Sequence, residues 1–231
     1  MLSDCFYPQF AEAPDSEQQP QTASSIKLEL GLIHNVSGSA YLDFGGSKVI
    51  CSIHGPYARA ASGGVFSSTG QLECDLKYAA SASVSEKTST VQPQTVIDAL
   101  QSCICLDKYA KMTISISIVI LETQGCELAH AICCASLALL NAGIEMLDLI
   151  CASSVVKQKD GTIIFDPSRK QIVHGENCIT VATVPTTGDI TQIWFEGKDD
   201  LAATFGMIQQ CSDRNVTLRQ SFREKILSQA Q

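Results

Sequence analysis

The sequence predicts an α/β (α+β) fold: mixed β-sheets packed with helices, a βαβα core and a C-terminal helix. Three observations predict it. Apolar residues alternate at Ile26, Leu28, Leu30 and Leu32, at Leu72, Cys74, Leu76 and Tyr78, and through much of MTISISIVIL, as strands with one buried face require. Between such runs the apolar spacing lengthens to that of a helix. Glycine-containing pairs punctuate the β-rich runs at hairpin spacing. The resulting order is hairpin, strand, helix, strand, helix, further hairpins and a last helix, which is that of a layered sandwich.

Residues 1–24 are rich in Pro, Gln, Ser and Glu and carry no periodicity, the composition of a disordered tail. A first part spans 25–145. Its first strand starts at Ile26. Ala40–Phe44 and Ser47–Ile53 form a hairpin around Gly45-Gly46, and Gly55-Pro56 is expected to stop the second strand. Tyr57–Thr69 reads as a loop, Gln71–Tyr78 as a strand and residues 81–95 as a polar linker. Val96, Ala99, Leu100, Cys103 and Leu106 fall at helical spacing. Residues 112–121 begin with alternation and end continuously apolar, as a strand does on entering the interior. The helix after it runs from near Cys126 to just before Gly143, and is apolar nearly all round, so it is expected to be buried on most sides.

A second part spans 146–231. Met146–Val156 is a strand, turned at Asp160-Gly161 and answered by Thr162–Phe165. Asn177–Val184 and Ile190–Phe195 flank the Gly188-Asp189 turn. The chain closes with a helix over Asp199–Ser228, with a break expected near Cys211–Asn215.

Of the 231 residues, 45% are hydrophobic and only 17% charged, against a usual quarter charged, so part of the apolar surface is expected to meet other subunits. A net charge of −8 argues against broad nucleic-acid binding by this chain alone. No apolar run reaches the roughly 18 residues of a membrane span, and the N-terminus lacks a basic-then-apolar signal. A soluble, intracellular protein with no membrane association is expected. Eleven cysteines, an odd count set mostly in apolar runs such as those of Cys51, Cys103, Cys105 and Cys151, read as reduced thiols in the core.

The densest cluster of chemistry-bearing side chains is Cys126, His130, Cys133 and Cys134. Cys126, His130 and Cys133 share one helix face, but ligands on one straight helix do not converge on one ion, and no loop knuckle supplies the rest. A Cys–His nucleophile needs both groups exposed in a pocket with an orienting third. The expectation is core cysteines beside a hydrogen-bonded histidine, with no metal and no cofactor.

Three blocks in order, GSAYLDFGGSKVICSIHGP, ALQSCICLDKYAKMTISISIVILETQGCELAHAICCASLALLNAGI and DGTIIFDPSRKQ, resemble the RNase PH family over about residues 28–228. The resemblance implies an RNase PH-like fold. Active members are phosphate-dependent exoribonucleases, whose acidic, metal-assisted site handles charge at phosphorus while a basic group holds phosphate. The positions that match the family's two aspartates are Val119 and Gln124, and that of its phosphate-binding arginine is Ile97. The acidic pair after the D-P motif becomes Lys170 and Gln171, and the opening Arg-x-Asp-Gly-Arg segment is missing. Glu122, three residues from Val119, is expected on the opposite strand face.

The resemblance therefore implies no catalytic residues and a non-enzymatic role. Inactive copies of this kind are typical of the six-membered RNase PH-like ring of the eukaryotic RNA exosome, capped by RNA-binding subunits. NAGIEMLDLICAS and GQLECDLKYA look most similar to the subunit type named for mRNA transport regulation, with the ribosomal-RNA-processing type less similar. Such a hetero-oligomer implies ring and cap subunits as partners, RNA threaded through the channel, and a nuclear, nucleolar and cytoplasmic location. Candidate RNA contacts are Arg59, Lys77 and Lys87, through phosphate charge.

Overall fold

The structure, a computed structural model, describes residues 26–58, 68–80, 91–197 and 201–229. The tail 1–24, Arg59 and Lys87 lie outside these, as do most of the 57–69 loop and of the 81–95 linker.

The first sheet has five strands in the order β1-β2-β3-β5-β4, with ranges β1 Lys27–Leu30, β2 Gly38–Phe44, β3 Ser47–Ala58, β4 Gln71–Tyr78 and β5 Met112–Glu122. Gly45 and Gly46 both take left-handed φ (64° and 76°), which a two-residue turn of this twist needs, and Phe44 pairs directly with Ser47. β1 is shorter than the alternation implies: Gly31 turns the chain, leaving Leu32 48% exposed. Gly55-Pro56 does not end β3. Proline has no N–H to donate, so the ladder slips between His54 and Tyr57 and then resumes at Tyr57↔Thr113. β5 does not enter the interior on both faces. Ile114, Ile116, Ile118 and Ile120 are fully buried, whereas Val119 and Leu121 are only half-buried.

β4 lies parallel to β5, and the chain crosses between them through α1 (Pro93–Gln101). α1 starts three residues before Val96, with Pro93 in its first turn, and stops before Cys103 and Leu106. The Cys103 thiol donates to the carbonyl of Asp148 (3.0 Å), and Ile104 bridges Met146. Glu145–Asp148 is thereby engaged with the Cys103–Cys105 segment and the Ile150 N–H donates to Ser136 Oγ, so the next strand, β6, begins only at Cys151 and runs to Lys157. Leu106–Tyr109 is a short 3-10 turn.

The second sheet has the order β7-β6-β8-β9, all antiparallel, with β7 Ile163–Phe165, β8 Asn177–Val184 and β9 Asp189–Glu196. α2 (Glu127–Asn141) packs on both sheets, touching β2 and β3 on one side and β6 and β8 on the other. Its residues Leu128–Leu139 are all buried, which explains why its sequence is apolar all round. A short helix that the periodicity does not announce, α3 (Arg169–His174), follows β7. α4 (Leu201–Gln229) is one unbroken helix. The break expected at Cys211–Asn215 is instead where it meets the sheet: Cys211 is buried, and the Asn215 amide donates to Val181 O and Thr183 Oγ1, both at 3.1 Å. The main core joins both sheets, from Leu42, Val49 and Ile118 to Ala182, Leu218 and Phe222. No helix among the described residues is long and apolar enough to cross a membrane.

Candidate functional site, the turn into α2

β5 delivers the chain to the turn Thr123–Cys126. The Gln124 N–H donates to Ser47 Oγ (3.1 Å), and that hydroxyl donates to Gly125 O (3.2 Å). Gly125 has φ 132°, and a Cβ there would stand 2.6 Å from Pro167 O, so only glycine fits. Cys126 follows in the left-handed region (φ 59°), with its thiol donating to Pro167 O at 3.3 Å. The Arg169 N–H donates to Gln124 O. The ETQGC turn and the D-P-S-R segment, remote in sequence, are thus backbone neighbours. Asp166 is braced by Arg214 (3.2 Å), and burial outweighs that guanidinium and pushes its carboxyl above the usual range.

Behind the turn a cavity of about 90 Å3 opens at the N-terminal end of α2. Glu127, Glu196 and Trp194 line it, over the Ser154 and Thr180 hydroxyls (2.7 Å apart) and the thiols of Cys126 and Cys178. Thr123 Oγ1 donates to Glu127 (2.7 Å), and Trp194 Nε1 to Glu196 (3.0 Å). None of its lining residues is basic. Burial pushes the Cys178 thiol up to about 12 and Cys126 well above its ordinary value, so neither offers a thiolate at neutral pH.

Val119 lies on the open face of the first sheet, paired with Ile50 and, across the parallel edge, with Lys77. Glu122 does not lie on the opposite face. Val49 pairs with Ile120 but Lys48 with Glu122, so Leu121 is an extra residue in the ladder. That bulge turns Glu122 to the face of Lys48, Ile50 and Val119, where it forms a 2.8 Å ion pair with Lys48. Lys77 is 70% exposed and paired with Asp75 (2.6 Å), which offsets its charge. Ile97 sits half-buried on α1. Gln171 serves its own helix: its Oε1 accepts from Ser168 N (2.8 Å) and Ser168 Oγ (3.0 Å). Sequence reasoning missed Glu127, Trp194 and Glu196, because only the fold brings α2 and β9 to one cavity.

His130 is 4% exposed and meets the Phe44 ring edge to face (5.2 Å). Contrary to expectation, neither ring nitrogen has a hydrogen-bond partner among the described residues. Burial lowers its pKa to about 4, so it is a neutral core residue at pH 7. The ten described cysteines are all free, and no group of three metal-ligating side chains converges among the described residues.

A mixed five-stranded sheet and an antiparallel four-stranded sheet clasp a central helix entered through a glycine turn, an arrangement of the RNase PH type. Residues 23–145 match the RNase PH description, "3' exoribonuclease family, domain 1", and the chain belongs to that family. Among curated relatives, the "Exosome complex component RRP41-like" of Arabidopsis thaliana is 31% identical, covering 85% of this chain and 77% of the relative. The "Exosome complex component MTR3" of Homo sapiens is 29% identical over 84% and 80%. In fold the chain is similar to rice (Oryza sativa) Rrp46, with TM-score 0.75, 18% identity and coverage of 88% and 97%. An Archaeoglobus fulgidus exosome chain, from a structure with RNA bound to the active site, has TM-score 0.70 and 17% identity over 87% and 91%.

Proposed function

We propose that this chain is a non-catalytic ring subunit of an RNA exosome, supporting 3′-to-5′ RNA processing and decay by helping to form the RNA-threading channel. The observation that carries the reading is the chemistry around the turn into α2. The positions that the resemblance matches to the family's two aspartates are Val119 and Gln124, the one it matches to the phosphate-binding arginine is Ile97, and the adjoining cavity presents Glu127 and Glu196 with no cation among its described lining residues. Two carboxylates repel phosphate, and no basic group among the described lining residues offsets them. Glu122 shares a face with Val119, but its charge is tied to Lys48.

Assembly has support in β9, an edge strand that leaves Ile190, Ile193 and Phe195 each at least 40% exposed. The exosome names of the relatives favour RNase PH-like ring neighbours and cap subunits as partners, with RNA passing through the assembled channel. The MTR3 relative is of the subunit type that NAGIEMLDLICAS resembles, and it stands beside the RRP41-like relative. Nuclear, nucleolar and cytoplasmic location follows from the same reading.

The test is in two arms. The tagged chain purified from its own cells is analysed by native mass spectrometry, where one copy beside other RNase PH-like chains is expected and a lone monomer or homo-hexamer sinks the reading. The purified chain and its Val119→Asp/Gln124→Asp variant are then given RNA and phosphate. Neither is expected to release nucleoside diphosphates, because Ile97 still cannot hold phosphate. Phosphorolysis by either overturns the reading of the site.

A further inference from the structure

A further cavity, of about 160 Å3, lies between the C-terminal end of α2 and the last turns of α4. Leu140, Leu149, Ile226 and Leu227 give it apolar walls, and Leu140 and Leu227 remain 40% and 56% exposed. Its charged residues are Asp148, Arg219 and Arg223. Asp148 is fully engaged: Arg219 Nε stands 2.9 Å from its carboxylate, which also accepts from the Thr186 hydroxyl. Arg223 is left at the rim with no ion pair or hydrogen bond among the described residues, in a chain whose net charge is −8.

We propose that this groove docks a peptide segment of a partner chain that presents an aliphatic side chain beside a carboxylate. The volume admits one branched aliphatic side chain. Its burial there covers two leucines that solvent otherwise reaches. The carboxylate meets the planar guanidinium of Arg223, which suits two-point recognition. Asp148 does not compete, because Arg219 and Thr186 already occupy it. Charge complementarity selects an acidic partner here although the whole chain is acidic, since among the described residues the one cation free at the groove is Arg223. A nucleic-acid backbone is the poorer fit, because phosphates are held by several cations in series. The proposal stands independently of whether the chain is catalytic.

The test is fluorescence polarisation of the full chain with the labelled peptide Ac-Gly-Leu-Asp-Leu-Glu-Gly-NH2. A second probe carries Lys at both acidic positions, and a third is labelled oligouridylate. Saturable binding of the acidic probe alone is expected. Arg223→Glu, at an exposed position, lowers that affinity on the order of tenfold and gains binding of the lysine probe. Leu227→Asp, also exposed, weakens the acidic probe alike. Equal binding of the two peptides, an acidic-probe affinity unmoved by Arg223→Glu, or oligouridylate binding that depends on Arg223 would each overturn the proposal.

Discussion

The two ends of α2 are built by opposite means. The C-terminal end closes itself. Gly143 takes φ 70°, its N–H donates to Leu140 O (3.0 Å), and the Ile144 N–H donates to Leu139 O (3.1 Å), a Schellman closure made within six residues. Asn141 then reaches out to receive the Ser39 N–H (2.9 Å). The N-terminal end has no side-chain cap, and its entry residue, Cys126, is left-handed. It is held from afar, by Ser47 on β3, Pro167 after β7, and the Asp166–Arg214 brace to α4. That remotely held end is the ETQGC turn, on which the function proposed above rests.

The sharpest way to break the comparison is at the self-closing end. A Cβ on Gly38 would lie 2.3 Å from the backbone nitrogen of Ala142, and backbone cannot step aside. Gly38→Ala is expected to cost about 3–4 kcal/mol, read as a fall in the urea midpoint. An unchanged midpoint would mean that the helix end floats free of β2. Next comes Arg214→Met at the other end. It leaves Asp166, whose side chain is 4% exposed, without its counter-charge, and costs about 3 kcal/mol at pH 7. That cost shrinks as pH falls, because a protonated Asp166 needs no guanidinium, so a pH-independent difference between variant and parent contradicts the brace.

His130, in the first turn of α2, has its pKa depressed to about 4 in the fold against 6.5 unfolded. The unfolded chain therefore binds the extra proton between these values. Its contribution is intact above pH 6.5 and is lost as pH falls toward 4, by about 2–3 kcal/mol in denaturation free energy. His130→Phe should flatten that slope. The smallest effect is expected of Gly143→Ala. Nothing lies within 4 Å of the added methyl, so only the left-handed strain counts, about 1 kcal/mol, visible as a Tm drop of a few degrees.

The same contrast explains what the sequence discloses. Features made by neighbours in the chain were legible: the Gly45-Gly46 hairpin, the bounds of β8, the end of α2 at Gly143, and its burial on all sides. Features made across the fold were not. Leu121 is one residue more than β3 can match, and only the facing ladder reveals that Glu122 therefore changes face. Cys211–Asn215 looks like a helix break because Asn and Asp usually end helices, yet Asn215 spends its amide on β8. The cavity of Glu127 and Glu196 joins residues 69 positions apart, with no shared motif to announce them.

The side chain of Gln229, near the end of α4, donates to the carbonyl of Leu28 in β1, across 201 residues. On the ribosome that partner arrives late. At about 5–20 residues per second, β1 waits roughly 10–40 s after its own synthesis for the helix that covers it. During that interval β1, whose Leu28 is buried in the finished fold, lacks the part of its cover that α4 supplies. A chain stalled before α4 would carry that edge strand only partly covered, and chaperones that read exposed strand edges would meet it there.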